Sequence, residues 1–214
     1  MTDPLIETLA ADLKPVSPRR QGRWLALGVA IALAIGALVF WLLPGLRVRP
    51  DLGRAVLDIP FWMKLGFTGI LAVTGGVSLH RLVRPGGRAR AALVLPGLLW
   101  AVCALMAAAD LAMHPVDVWP DRILGTTALR CVTYILLISA PVLVVLLFVA
   151  RRGAPTRLTQ AGWALGLAAG GIGATIYAMG CPEASPAFLI VWYALGIGLA
   201  ATAGALGGRY LLRW

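Results

Sequence analysis

VTYILLISAPVLVVLLFVARR, residues 132–152, decides how this chain folds. Nothing charged lies between Val132 and Ala150, and the run closes on Arg151-Arg152. At about 1.5 Å per residue, a helix of this length covers most of the roughly 30 Å hydrocarbon core of a bilayer. No water is available there to satisfy a bare backbone, so a helix is the expected form. A β-barrel strand would instead alternate over about ten residues, and this run is apolar all round.

Five further windows read the same way: Trp24–Leu43, Phe61–Leu82, Ala91–Met113, Gln160–Met179 and Ala187–Leu206. The whole chain agrees. Of its 214 residues 60% are hydrophobic and 13% charged, where a soluble domain has roughly 25% charged, and its mean hydropathy is +0.86. The expected fold class is all-α, a polytopic membrane protein with a bundle of six transmembrane helices over residues 24–214 and a short head and linker over residues 1–23. Residues 1–16 are mixed polar, and the apolar run from Trp24 is too long for a signal peptide, so it reads as a retained helix.

Lysine and arginine placement orients the bundle. Lys14, Arg19, Arg20, Arg23, Arg81, Arg84, Arg88, Arg90, Arg151, Arg152, Arg157, Arg209 and Arg213 make thirteen on one side. Arg47, Arg49, Arg54, Arg122 and Arg130 make five on the other. The positive-inside rule puts both termini in the cytoplasm. The arginines of loop 44–60 run against it and are partly offset by Asp51 and Asp58. The formal charge of +10 therefore marks topology and contact with the lipid bilayer, and no nucleic-acid motif accompanies it.

Small residues recur every fourth position in the last two spans: Gly162, Gly166, Gly170 and Ala174, then Gly196, Ala200, Gly204 and Gly208. Such stripes let two backbones approach closely, and the short connection at 180–186 makes these spans an antiparallel hairpin. Charges inside spans are candidates for function. Lys64 and Asp110 fall at similar depth on neighbouring helices, which reads as an interfacial ion pair or a snorkelling lysine rather than a transport site. His80 and His114 fall at opposite ends and cannot share a ligand. HExxH, GxSxG and a phosphate loop are absent, so no enzyme and no cofactor is expected.

Cys103 sits mid-span as a small hydrophobe. Cys131 and Cys181 fall on the outer, oxidising side. Two such thiols can form a disulfide, bind a soft metal, or stand together by coincidence.

Asp3-Pro4 reads as a helix start, after which Leu5, Ile6, Leu9 and Leu13 lie within about 100° of arc. Asp3, Glu7 and Asp12 make the polar side acidic. A helix lying on anionic lipid would carry lysines there, so a basic protein groove suits this stripe better.

Asp3-Pro4-Leu5-Ile6, the run Leu9–Val16, Cys181-Pro182-Glu183, Phe188, Trp192-Tyr193 and the closing Gly207–Trp214 together resemble the negative-regulator-of-sigma-F family, polytopic membrane anti-sigma factors. The resemblance covers the whole chain. It implies that the head, through Leu5, Ile6, Leu9, Asp12 and Leu13, holds an extracytoplasmic-function sigma factor in the cytoplasm. It also implies that Cys131 and Cys181 sense heavy-metal or oxidant stress from the periplasm, with a sensed metal ion as the one possible bound species. The alternative class is a small transporter or channel, which would line the bundle with polar residues at mid-depth. The partner's identity and the oligomeric state stay open.

Overall fold

The computed structural model describes residues 18–84 and 86–213, with side chains from residue 22. The head residues Leu5, Ile6, Leu9, Asp12 and Leu13 lie outside the described residues. Six long helices are apolar enough to cross a membrane: α1 Pro18–Leu42, α2 Ile59–Leu82, α3 Ala91–Ala112, α4 Ala128–Ala150, α5 Leu158–Ala178 and α6 Ala194–Leu211. There is no strand among the described residues. The helix of α1 already begins at Pro18, so residues 18–23, expected as linker, form its first turns.

The bundle is organised around α5. Of its most apolar window 83% is buried, against 17% for α3 at the periphery. Its composition explains this, because glycine and alanine surround the helix and neighbours approach on three sides. Gly162 lies against Gly204 and Gly208 of α6, and Gly166 against Ala200 and Ala201. Gly171 lies against Ala72 of α2, and Gly75 of α2 returns the contact on Ala164 and Ala168. Gly173 faces Ile135 and Ser139 of α4.

Gly170 meets Ile197 and Ala200, but Gly196, expected in the same seam, faces Ile135 of α4. The reason is geometric. Four residues overshoot a 3.6-residue turn by about 40°, so a stripe from Gly196 to Gly204 winds by about 80° around the helix. Its first member points at a different neighbour.

α1 packs on α4, with Gly28 against Val149 and Gly36 against Val142 and Ile176. At the far end of that contact the Arg152 guanidinium stacks on Trp24, 4.4 Å from the ring centroid. Such a stack adds cation–π attraction to the packing.

The two ends differ in chemistry. The α2–α3 and α4–α5 connections, the start of α1 and the end of α6 form an arginine-rich end. The other three connections form the opposite end, which holds Cys131, Cys181 and every Asp and Glu among the described residues.

A buried thiol cluster at one end of the bundle

The connection between α5 and α6 is a short irregular stretch, Met179 to Ser185, that carries Cys181 and Glu183. Such a stretch has no ladder of its own, so its polar groups need partners from elsewhere. From α2, the Lys64 ammonium donates to the Cys181 carbonyl at 3.2 Å and, in a shorter contact, to the Glu183 carbonyl. From the α1–α2 connection, the Arg49 backbone N–H donates to Met179 O at 3.1 Å. From the start of α4, Thr126 N, Thr126 Oγ1 and Thr127 Oγ1 all donate to Glu183 Oε1, at 2.8, 2.9 and 3.2 Å. Gly125 makes that last contact possible. Its φ of 57° is left-handed, and a Cβ there would lie 2.8 Å from the Glu183 carboxylate.

Lys64 is 3% exposed and has no carboxylate in contact among the described residues. A buried ammonium is costly unless hydrogen-bonded, and here backbone carbonyls supply the bonds. The expected pairing with Asp110 does not occur. The α3–α4 connection folds into a short helix, Trp119–Leu124, whose Arg122 meets Asp110 through two nitrogens at 2.7 and 3.0 Å. That bidentate fork is the stronger partner for a carboxylate, and Lys64 is left to the thiol end. Nor does Lys64 snorkel to water.

Cys131 sits one turn into α4. It and Cys181 are both fully buried, and all three cysteines are free thiols. The Cys131 and Cys181 thiols lie within electrostatic reach of each other and of the Lys64 ammonium. Cys103 is buried separately in α3. Tyrosines pack around the pair: the Tyr134 and Tyr177 rings are 6.0 Å apart and those of Tyr177 and Tyr193 5.8 Å. The Tyr177 and Tyr193 hydroxyls approach the Cys181 thiol. The Tyr193 hydroxyl, fully buried, has no hydrogen-bond partner among the described residues. Leaving such a group unpaired costs about 1–3 kcal/mol, a penalty more common at functional sites than in a passive core. Tyr193 is delivered by a π-helical turn, Leu189–Tyr193, that precedes α6, and π turns concentrate at such sites.

A cleft of about 400 Å³ at this end, lined by Arg49, Asp58, Phe61, Lys64 and Glu183 among others, opens against this cluster. At its rim Arg49 pairs with Asp51 at 2.6 Å. The hydrogen bond from Arg49 holds the exposed Asp51 carboxyl down to about 2. The pair therefore persists above the ordinary carboxylate range and is lost only as pH falls through about 2.

Among the described residues no group of three or more His, Cys, Asp or Glu could hold a metal ion. Two thiols suit a soft ion content with two sulfur ligands, or a thiol-reactive oxidant. They do not make the four-ligand set of a structural zinc.

Sequence reasoning found the cysteines and missed their setting. Lys64 was a visible signal, a lone charge at the depth of both thiols. The roles of Glu183, Thr126 and Tyr193 depend on a loop and a π turn that no periodicity reveals.

One expected result follows from the Lys64 tether. Labelling a fully buried Cys181 needs a local opening. Lys64→Met removes two charge-assisted bonds, of which one alone is worth about 1.5 kcal/mol. Labelling of Cys181 by a membrane-impermeant maleimide, in a Cys103→Ser background, should accelerate about tenfold or more. An unchanged rate would mean that the tether is not what keeps the loop shut.

Comparison with known proteins matches residues 9–214 to the family described as negative regulator of sigma F, NrsF. A protein of Caulobacter vibrioides (strain NA1000 / CB15N), called anti-sigma-F factor NrsF, is 37% identical over 218 aligned residues, spanning 100% of this chain and 99% of the relative. A protein of Azospira oryzae (strain ATCC BAA-33 / DSM 13638 / PS), called probable anti-sigma-F factor NrsF, is 36% identical over 217, spanning 100% and 99%. No solved structure matches. A six-helix membrane chain matched over nearly its whole length in this way belongs to the NrsF family.

Proposed function

We propose that this chain is an anti-sigma factor that holds a sigma factor at the membrane through its N-terminal segment and releases it when the Cys131–Cys181 cluster is modified. The observation that carries the reading is the similarity over the full chain to two proteins named as anti-sigma-F factors. The reading extends to a sigma factor of the extracytoplasmic-function class, bound by Leu5, Ile6, Leu9, Asp12 and Leu13. It places residues 1–23 in the cytoplasm of a bacterial inner membrane and residues 24–214 within it as sensor. The signal is a soft metal ion or an oxidant arriving from the periplasm. Catalysis has no part in it.

The geometry supports a route between the two sites. α4 carries Cys131 near one end and ends at Ala150, just before Arg152, which stacks on Trp24 of α1. Trp24 lies within the first described turns of α1, close in sequence to the N-terminal segment. A tilt or shift of α4 at the thiol end thus has a continuous helix, with Pro141 inside it, as its path toward Trp24. Glu183 and Lys64 fix the loop that holds the second thiol, so the cluster registers where α2, α4 and the α5–α6 connection sit relative to one another.

Capture tests the reading. The tagged chain, extracted from native membranes, should retain a sigma factor, and the chain lacking residues 1–17 should not. Orientation is checked separately. Reporter fusions after Arg88 and Arg152 should read cytoplasmic, and fusions near Asp117 and Glu183 periplasmic. Inverted signals at the last two sites would overturn both the orientation and the sensing of an external stress.

A further inference from the structure

The arginine-rich end contains a pocket that the thiol cluster does not use. It has a volume of about 260 Å³ and is lined by Arg88, Ala89, Arg90, Leu93, Arg157 and Gln160. Three arginines line it from two connections that are far apart in sequence. Arg157 makes one long contact, 3.5 Å, with Gln160 Oε1. Arg88 and Arg90 have no side-chain hydrogen bond or ion pair among the described residues. Every carboxylate among the described residues lies at the other end of the bundle, so among the described residues these like charges have no counter-ion.

The helices add to the imbalance. The 22-residue α3 begins beside the pocket with Arg90 at its N-cap, and the 21-residue α5 begins there with Arg157 at its N-cap. Neither has a side-chain cap, and neither carries an acid in its first turn. A helix start presents free N–H groups and a partial positive charge, and cations placed there are unfavourable unless an anion joins them. Guanidinium groups and helix N-termini share one preferred ligand, a phosphate, which accepts from the first as a fork and from the second as backbone N–H groups.

Position selects among phosphates. The pocket lies where α3 and α5 leave the apolar zone, which is headgroup depth. On its rim Leu93 is 54% exposed, giving apolar contact for a glycerol or acyl segment beside the charged floor. A free phosphate has no use for that wall. Basic pockets between membrane helices at this depth suit lipid headgroups.

We propose that the pocket formed by Arg88, Arg90 and Arg157 binds the phosphate headgroup of an anionic phospholipid. A headgroup seated there bridges the α2–α3 connection to the start of α5, the helix on which the bundle is organised. This inference stands apart from the proposed sigma-factor function, since the lipid would bind whether or not the thiols sense anything.

The test uses the full-length chain in detergent micelles, with lipid binding read by native mass spectrometry. The probes are phosphatidylglycerol, phosphatidylcholine and inorganic phosphate. The wild-type chain should bind phosphatidylglycerol more tightly than phosphatidylcholine. The pair Arg90→Gln and Arg157→Gln should weaken phosphatidylglycerol about tenfold, the order expected from two lost charge-assisted contacts. The pair Arg81→Gln and Arg84→Gln removes the same charge from the same end outside the pocket, and should change binding less than about twofold. Equal loss in the two pairs would replace a site with diffuse attraction and overturn the proposal. Phosphatidylcholine binding as tightly as phosphatidylglycerol would also overturn it. Displacement of the lipid by millimolar inorganic phosphate would reassign the pocket to a soluble anion and overturn the lipid. If the double variant does not fold, Arg88→Gln, an exposed loop residue, carries the same comparison.

Discussion

Leu13→Asp should reduce capture of the sigma factor by about a hundredfold or more. The expectation rests on the apolar stripe of Leu5, Ile6, Leu9 and Leu13, which at roughly ten residues is too short to hold a helix alone in water. Such a segment folds on the surface that buries its stripe. A carboxylate placed in that buried contact is left without a partner, which costs about 3–5 kcal/mol, and each 1.4 kcal/mol is a factor of ten in binding. Leu9→Asp should do the same. Leu13→Met keeps volume and apolarity and should retain the partner, while Thr8→Asp, off the stripe, should have little effect. In cells the two stripe variants should leave the regulon of the sigma factor switched on without stress. Full retention of the partner by Leu13→Asp would show that binding does not run through this stripe.

The second large effect is expected from Gly166→Leu. A Cβ at Gly166 would stand 2.2 Å from Ala200 O and 2.6 Å from Ala201 Cα. Both atoms are backbone, so no rotamer change relieves the clash and the two helices must part. Overpacking of ordinary cores costs about 1–3 kcal/mol, and this site, with backbone on the far side, belongs at the upper limit or beyond. The variant should unfold at markedly lower denaturant in detergent, or fail to give monodisperse protein. Gly198→Leu is the matched control. Nothing lies within 4 Å of a Cβ at Gly198, so the same substitution on α6 should be tolerated. Equal sensitivity at Gly166 and Gly198 would count against the close α5–α6 seam.

The seam was legible in the sequence because membrane helices associate by backbone approach, and small residues at four-residue spacing write that approach into the chain. The six spans were legible for a related reason, since length and apolarity are what a bilayer demands. The thiol cluster was legible only in part. Cys131 and Cys181 could be placed at one end from topology, but Lys64 was read as half of an ion pair with Asp110 or as a snorkelling lysine. The local fold of residues 116–124 decides otherwise by bringing Arg122 to Asp110. Tyr193 reaches the cluster through a π turn, and Glu183 through a left-handed Gly125. Periodicity carries no trace of either. The drift of Gly196 out of the seam follows from the mismatch between four residues and one turn, which a reading by spacing alone passes over.

The cluster also limits what the input can be. Moving a bundle from 1:99 to 99:1 requires about 5.5 kcal/mol of preference between its two states. Structural zinc supplies roughly 10 kcal/mol or more, but through four ligands, and two thiols cannot draw on that figure. One disulfide is typically worth about 2–4 kcal/mol. A site with two sulfur ligands thus works as a switch only if the resting bundle is poised within a few kcal/mol of release. The unpaired Tyr193 hydroxyl, a destabilising feature held at the cluster, is consistent with such a poise.

The most direct measurement is sigma-factor release from the reconstituted membrane complex when mercuric ion, which is content with two thiolates, is added on the outer side. The wild-type chain and Cys103→Ser should release the partner. Cys131→Ser, Cys181→Ser and the double variant should bind it normally and release none, each single change acting as fully as both together. Release from either single variant at the wild-type metal concentration would contradict a shared thiol site, and with it the proposed release through Cys131 and Cys181.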